Sequence, residues 1–209
     1  MCRIANTLSR DEILKNVYCQ LVNKDKNLSR LAKEPYKDFL DLAVQYKIIV
    51  KEHENCISSF EMNNILCAGY GIGLEELDAV ARRNSREKGF RMWQIGEMLT
   101  ELVQSQRKDI WKEKFQNVQM WIFTNEKMLD GAGVMLFPEY FSELAQKLED
   151  DLFILPSSIY EVIAVPVAQR SANVLRNIVC HMNTYLEDSV ILSENVYRYS
   201  LEEGTLIIE

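Results

Sequence analysis

The sequence has little of the material from which catalytic and metal sites are commonly built. It contains two histidines, and its five cysteines include no Cys-x-x-Cys pair. His53 and Cys56 have a spacing found in metal sites, but structural zinc needs four ligands. Cys180 and His181 are the only candidate second pair, and adjacent residues on a helix point about 100° apart. We therefore expect no metal, no cofactor and no thiolate–imidazole dyad.

Other absences bound the class of protein. With 8 Gly and 4 Pro the chain is neither collagen-like nor of low complexity, and 47% hydrophobic residues are enough for a folded core. No apolar run approaches the ~18 residues of a membrane span. The N-terminus lacks the apolar segment of a signal peptide. The odd number of cysteines argues against a disulfide framework. We expect a cytoplasmic protein with free thiols.

The charge balance is acidic, with 24 Lys+Arg against 31 Asp+Glu and a net charge of −7. Nucleic-acid binding normally requires a basic surface that displaces counterions. We therefore expect neither a nucleic-acid partner nor a membrane partner. An acidic surface that mimics nucleic acid, as in some regulators, stays open as an alternative.

The first half predicts short helices and strands. Ser9 and Glu12 have the capping-box spacing that begins a helix. Residues 17–22 fit both a helical face and an alternating strand. Residues 42–50 predict a strand with an antiparallel partner at 56–60. The glycine-rich loop at 69–73 precedes a helix, but Glu75 and Glu76 in its first turn would repel a phosphate. It predicts a turn between two helices.

The second half predicts more strands and two longer helices. Residues 118–124 predict a buried strand and 132–137 its partner, followed by a helix. Strands are expected at 152–155 and 159–165, and a hairpin at 196–199 and 205–208. Ser171 is a candidate N-cap for a helix with one buried apolar stripe. That stripe comprises Leu175, Ile178, Val179, Met182 and Leu186.

This pattern predicts an α+β fold with mostly antiparallel sheets and packed helices, in two closely associated halves. We expect an N-terminal half at residues 1–104 and a C-terminal half at 117–209. The charged stretch at 105–116 would connect them. Trp111 lies in that stretch, where it would pin the connection to the core or anchor a partner.

Five stretches resemble a family of uncharacterised bacterial proteins, known as a domain of unknown function and found mainly in anaerobic gut bacteria. They lie at residues 39–44, 124–126, 131–138, 155–162 and 195–199, and Leu-Pro-Ser-Ser-Ile at 155–159 is the most specific. The resemblance implies a bacterial cytoplasmic protein and a strand at 17–22, but no reaction. Members of that family often have an additional N-terminal segment, and often His in place of Tyr160.

Ser157, Ser158 and Glu161 lie in the most specific block and are the candidate binding residues. A serine nucleophile needs a base and an oxyanion pocket, and no Gly-x-Ser-x-Gly turn surrounds these serines. Hydroxyls at a break between strands commonly bond the backbone instead. No catalytic residue is therefore assigned.

The leading hypothesis is a non-enzymatic protein that acts through contacts with an unidentified protein partner or with itself. The alternative is a hydrolase that uses Ser157, Ser158 and Glu161. An enzyme should gather these side chains in a concave pocket. An interaction protein should expose an apolar surface.

Overall fold

The computed structural model describes residues 8–52, 57–96 and 119–209. The chain divides into two compact units between Gly89 and Phe90. Both contain an antiparallel sheet with helices, so the α+β prediction is confirmed. The predicted connection at 105–116 lies outside the described residues, and the boundary placed there stays a prediction. Of the helices in the described ranges, none combines membrane-spanning length with a sufficiently apolar sequence.

The first unit is built around one long central strand. That strand pairs with β1 on one side and with β2 and β4 on the other, in every case antiparallel. The elements are α1 Arg10–Asn16, β1 Val17–Asn23, a 3-10 turn Asp25–Asn27, α2 Leu28–Leu31, β2 Tyr36–Phe39, β3 Leu42–Glu52, β4 Ile57–Glu61, α3 Asn64–Tyr70 and α4 Leu74–Lys88.

Helix α1 and strand β1 form where the sequence analysis expects them. The Ser9 hydroxyl accepts a hydrogen bond from the Glu12 N–H at 3.2 Å, and a Glu12 carboxylate oxygen accepts one from the Ser9 N–H at 2.7 Å. The predicted capping box is therefore present. Residues 17–22 form a strand, as the resemblance implies, because β1 pairs with β3 from Val17 to Asn23. Cross-strand pairing outweighs the helical period there.

A buried carboxylate ties α4 to this sheet. The hydroxyl of Tyr46, in β3, donates to Asp78 Oδ1 at 2.9 Å. Arg82 Nε donates to both carboxylate oxygens at 3.0 and 3.1 Å, and Lys37 Nζ lies 3.2 Å from Oδ2. Burial, together with the charge of Asp78, raises the pKa of Tyr46 far above its ordinary value. The phenol therefore stays protonated and remains a hydrogen-bond donor.

The second unit is a six-stranded antiparallel sheet in the order β10-β9-β7-β8-β6-β5. The terminal hairpin predicted from the sequence is present as β9 and β10. The elements are β5 Arg91–Gln94, β6 Trp121–Thr124, a 3-10 helix Gly131–Leu136, α5 Glu139–Leu148, β7 Leu152–Leu155, β8 Val162–Pro166, a 3-10 turn Val167–Gln169, α6 Ala172–Asn183, β9 Tyr197–Tyr199 and β10 Leu206–Ile208.

The strand predicted at 132–137 is wrong. These residues belong to the 3-10 helix Gly131–Leu136, and β6 pairs instead with β5 and β8. The 3-10 residues are all buried, and a short, uniformly apolar run does not distinguish a strand from a helical turn. Gly131 also lies so close to Thr124 and the Tyr160 carbonyl that a Cβ atom there would clash with both.

Helices cover both faces of the second sheet. On one face, the ring of Phe141 in α5 lies 4.9 Å from Phe123 and 5.8 Å from Tyr199, measured between centroids. On the other face, α6 buries Leu175 and Val179 in a cluster with side chains of the sheet and the segment before β9. That cluster also contains Phe153, Leu155, Val165 and Val196.

The bond between Tyr46 and Asp78 gives a stability prediction. Tyr46→Phe removes one donor from a buried carboxylate, so we expect the free energy of unfolding to fall by about 1–3 kcal/mol. Tyr185→Phe is the matched control, because Tyr185 is 73% exposed. Loss of the Tyr185 hydroxyl should change the free energy of unfolding by less than about 0.5 kcal/mol. Urea unfolding followed by circular dichroism measures both, and equal losses would contradict the role given to Asp78.

Candidate functional site

The structure brings the three predicted site residues in the β7–β8 connection together. Ser157 Oγ and Ser158 Oγ each donate a hydrogen bond to Glu161 Oε1, and both distances are 3.1 Å. The side chains converge because Pro156 ends β7 and the chain turns back before β8 begins at Val162. One carboxylate oxygen therefore accepts from both hydroxyls.

The same groups also close the turn through the backbone. The Tyr160 N–H donates to Ser158 Oγ at 3.0 Å, and the Ser158 N–H donates to the Glu161 carbonyl at 3.3 Å. Ser158 is only 4% exposed. A nucleophile must be free to approach a substrate, whereas this hydroxyl is buried and bonded on both sides. Its observed role is to hold the turn.

Three of the five stretches named in the sequence analysis, 124–126, 131–138 and 155–162, meet at this turn. The Ala132 N–H donates to the Ile159 carbonyl at 3.2 Å, and Thr124 Oγ1 donates to the Tyr160 carbonyl at 2.7 Å. The Ile159 N–H in turn donates to the Val190 carbonyl at 3.0 Å. The residues that carry the resemblance thus include a set that joins β6, the 3-10 helix and the β7–β8 connection.

The glycine-rich loop is the turn between helices that the sequence predicts. Gly71 has a φ of 62° and ends α3 in the left-handed conformation, which glycine adopts without a steric penalty. The carboxylates of Glu75 and Glu76 pair with Lys37 and Arg10, each at 2.6 Å. The first turn of α4 therefore presents acidic side chains engaged with nearby cations.

The remaining candidates do not form a site among the described residues. Trp111, His53 and Cys56 lie outside those residues, so the interpretations given to them stay predictions. Cys180 is half-buried on α6, and the ring of His181 contacts Tyr185 edge-on with centroids 5.3 Å apart. No group of three or more possible metal ligands occurs in the described ranges. Burial raises the pKa of the Cys19 thiol to about 12, so it stays protonated.

A surface that the sequence analysis missed lies on α6. The predicted buried stripe is only partly correct: Leu175 and Val179 are buried, but Ile178 is 47% exposed and Met182 53% exposed. Val174 is also 47% exposed. We call the exposed side of this helix and of the turn after it the α6 face. It consists of Asn173, Val174, Asn177, Ile178, His181, Met182, Thr184 and Tyr185.

The α6 face contains no Asp, Glu, Lys or Arg. The exposed side of α5 is different, because it carries Glu139, Glu143, Gln146 and Lys147. A solvated helix surface is normally charged or strongly polar. The apolar residues of α6 form one wide sector of the helix, and the sheet covers only the part centred on Leu175 and Val179.

One signal in the sequence identifies this surface. Between residues 172 and 186 the only residue among Asp, Glu, Lys and Arg is Arg176, which is half-buried. The apolar sector that includes Val174, Ile178 and Met182 is therefore wider than the part that packs on the sheet, and no charged residue suits its exposed part to water. Assigning Ile178 and Met182 to the same buried stripe as Leu175 conceals the exposed part of this sector.

The helix that carries the face is anchored at two points by side-chain hydrogen bonds. Near its C-terminal end the buried Asn183 side chain donates to the Ser193 carbonyl at 3.1 Å. Arg176 Nη2 donates to the Glu209 carbonyl at 2.5 Å, which links α6 to the end of β10. The α6 face therefore does not have to be ordered when something binds it, which lowers the entropic cost of binding.

The turn gives a prediction that distinguishes its two serines. Ser158→Ala removes a donor to Glu161 and leaves the Tyr160 N–H without its acceptor. We expect the free energy of unfolding to fall by about 1–3 kcal/mol. Ser157→Ala removes one donor from a partly exposed carboxylate that water can solvate, so the loss should stay below about 1 kcal/mol. Urea unfolding of both variants tests this, and a larger loss for Ser157→Ala would refute it.

The comparisons with known proteins identify the family of the chain but no activity. The model of a family of unknown function (DUF5688) matches residues 2–201, which is nearly the whole chain. No curated protein and no solved structure gives a significant match. The chain therefore belongs to this family of unknown function.

Proposed function

We propose that this protein acts through protein–protein contacts and that the α6 face is its contact surface. The observation that carries the proposal is an exposed helix side with Val174, Ile178, Met182 and Tyr185 in place of charges. The core of a protein interface is depleted in charge and enriched in Met and aromatic residues. Interaction sites are also where soluble proteins expose contiguous apolar surface.

The hydrolase alternative has one observation in its favour, the convergence of Ser157 and Ser158 on Glu161. The hydrogen bonds of these three residues argue against a hydrolase. Both hydroxyls already donate to the carboxylate, and the more deeply buried one also holds the backbone. In the second unit's described residues the one imidazole is that of His181, which contacts Tyr185. A serine without a positioned base is a weak nucleophile.

We also propose that the protein makes this contact in a bacterial cytoplasm. The thiols of Cys19, Cys67 and Cys180 are free, which fits a reducing compartment. The resemblance described above implies a bacterial source. Fractionation of source cells followed by immunoblotting tests the compartment, and recovery in a membrane or secreted fraction would contradict it.

A surface specialised for contact should tolerate polar substitution without loss of stability. For the double variant Ile178→Ser/Met182→Ser we expect the free energy of unfolding to change by less than about 1 kcal/mol, because about half of each side chain already lies in water. Leu175→Ala is the control on the same helix. Leu175 is 3% exposed, and its truncation should cost about 2–5 kcal/mol. Urea unfolding separates the two, and a large loss in the double variant would mean that these side chains support the fold.

Site-specific photo-cross-linking tests the contact itself. A photoreactive phenylalanine analogue is placed at position 178, and in a second protein at position 65. Ile65 is also exposed, at 66%, but lies in α3 of the first unit. In the cells that make the protein we expect a discrete cross-linked species from position 178 and little from position 65. Equal yields from both positions, or none from position 178, would overturn the proposal.

A further inference from the structure

We infer that the occupant of the α6 face is a second copy of this chain, packed so that the two α6 helices run antiparallel about a twofold axis. This inference rests on the proposed function and adds the identity of the partner. A twofold contact joins the same surface of both copies, so that surface must complement itself. The α6 face meets this condition in its apolar residues and in its flanking charges.

The apolar residues match when the helix is reversed. The intervals between Val174, Ile178 and Met182 are four residues each, which places these three along one side of α6. Tyr185 follows three residues later, in the turn after the helix. With the axis near residues 179–180, Ile178 of one copy lies opposite Met182 of the other. Val174 likewise lies opposite Tyr185. The apolar length of one face is therefore covered by the other.

The charges that flank α6 show the direction of packing. Arg170 is exposed just before the helix, and Glu187 and Asp188 are exposed after it. This order is the reverse of what the helix dipole favours, since acids stabilise the N-terminal end and bases the C-terminal end. In an antiparallel pair Arg170 of one copy lies near Glu187 and Asp188 of the other. A parallel pair would oppose like charges at both ends.

The size of the surface indicates how strong the contact is. A helix of 12 residues is about 18 Å long, so one side of it covers far less than the ~800 Å² per partner of a standard stable interface. The dimer should therefore be weak and depend on protein concentration. We expect it to dissociate in the micromolar range, which is typical of small contacts.

Charge reversal tests the antiparallel arrangement. Arg170→Glu and Glu187→Arg change exposed side chains outside the helix. The first makes both end contacts of the dimer repulsive, and the second adds a repulsive cation at each end and leaves only Asp188 to attract Arg170. We expect each single variant to raise the dissociation constant of the dimer by about tenfold. This figure adds the effects of the charge pairs at the two ends of the contact. An equimolar mixture of the two variants should restore association, because each chain then supplies the charge that the other needs. The double variant should restore it as well.

Sedimentation equilibrium over about 10–500 μM protein measures these constants at low salt, where rim charges act most strongly. Ile178→Ser/Met182→Ser should abolish the dimer, and Ile65→Ser should leave it unchanged. If the natural chain stays monomeric while position 178 still cross-links to a different protein, the self-association is wrong and the proposed function stands. If a dimer forms that neither charge reversal nor the serine variant weakens, the antiparallel α6 contact is wrong.

Discussion

The double-sided burial of β7 and β8 is the constraint on which the second unit depends. Both strands lie inside the sheet and have helices against both of their faces, with α5 on one and α6 on the other. Strands in this position are uniformly apolar and do not alternate. Each helix therefore has to supply one apolar side to the sheet. What the rest of that helix presents is free to serve something else.

The two helices use that freedom differently. The exposed side of α5 carries charges, as expected where water is the only neighbour, whereas the α6 face carries Val, Ile, Met and Tyr. The β7–β8 connection is a comparison within the same unit. There the polar residues Ser157, Ser158 and Glu161 bond one another and the backbone, so their chemistry is used in holding the turn. Packing within the fold does not explain the exposed apolar residues of the α6 face.

Much of the fold was predictable because its signals are local. The capping residues around Ser9, the turn at Gly71 and the terminal hairpin each follow from a few neighbouring residues. The 3-10 helix Gly131–Leu136 was not predictable from local signals. Its conformation depends on a close approach to Thr124 and Tyr160, which lie outside this helix in the sequence. The α6 face was missed for a related reason. Periodicity locates the apolar residues of a helix, but only the packed structure tells how much of that apolar sector the sheet covers.

The edge strand β10 has a consequence for how this protein meets other molecules. Ile207 and Ile208 are exposed there, at the end of the six-stranded sheet, and an open apolar edge invites strands of other chains to add to it. The strand has only three residues, so it offers an incoming chain very few main-chain donors and acceptors. Growth of the sheet from one molecule to the next is therefore discouraged at this end. The contact proposed for the α6 face differs from such growth, because a twofold pair of helices closes after two copies.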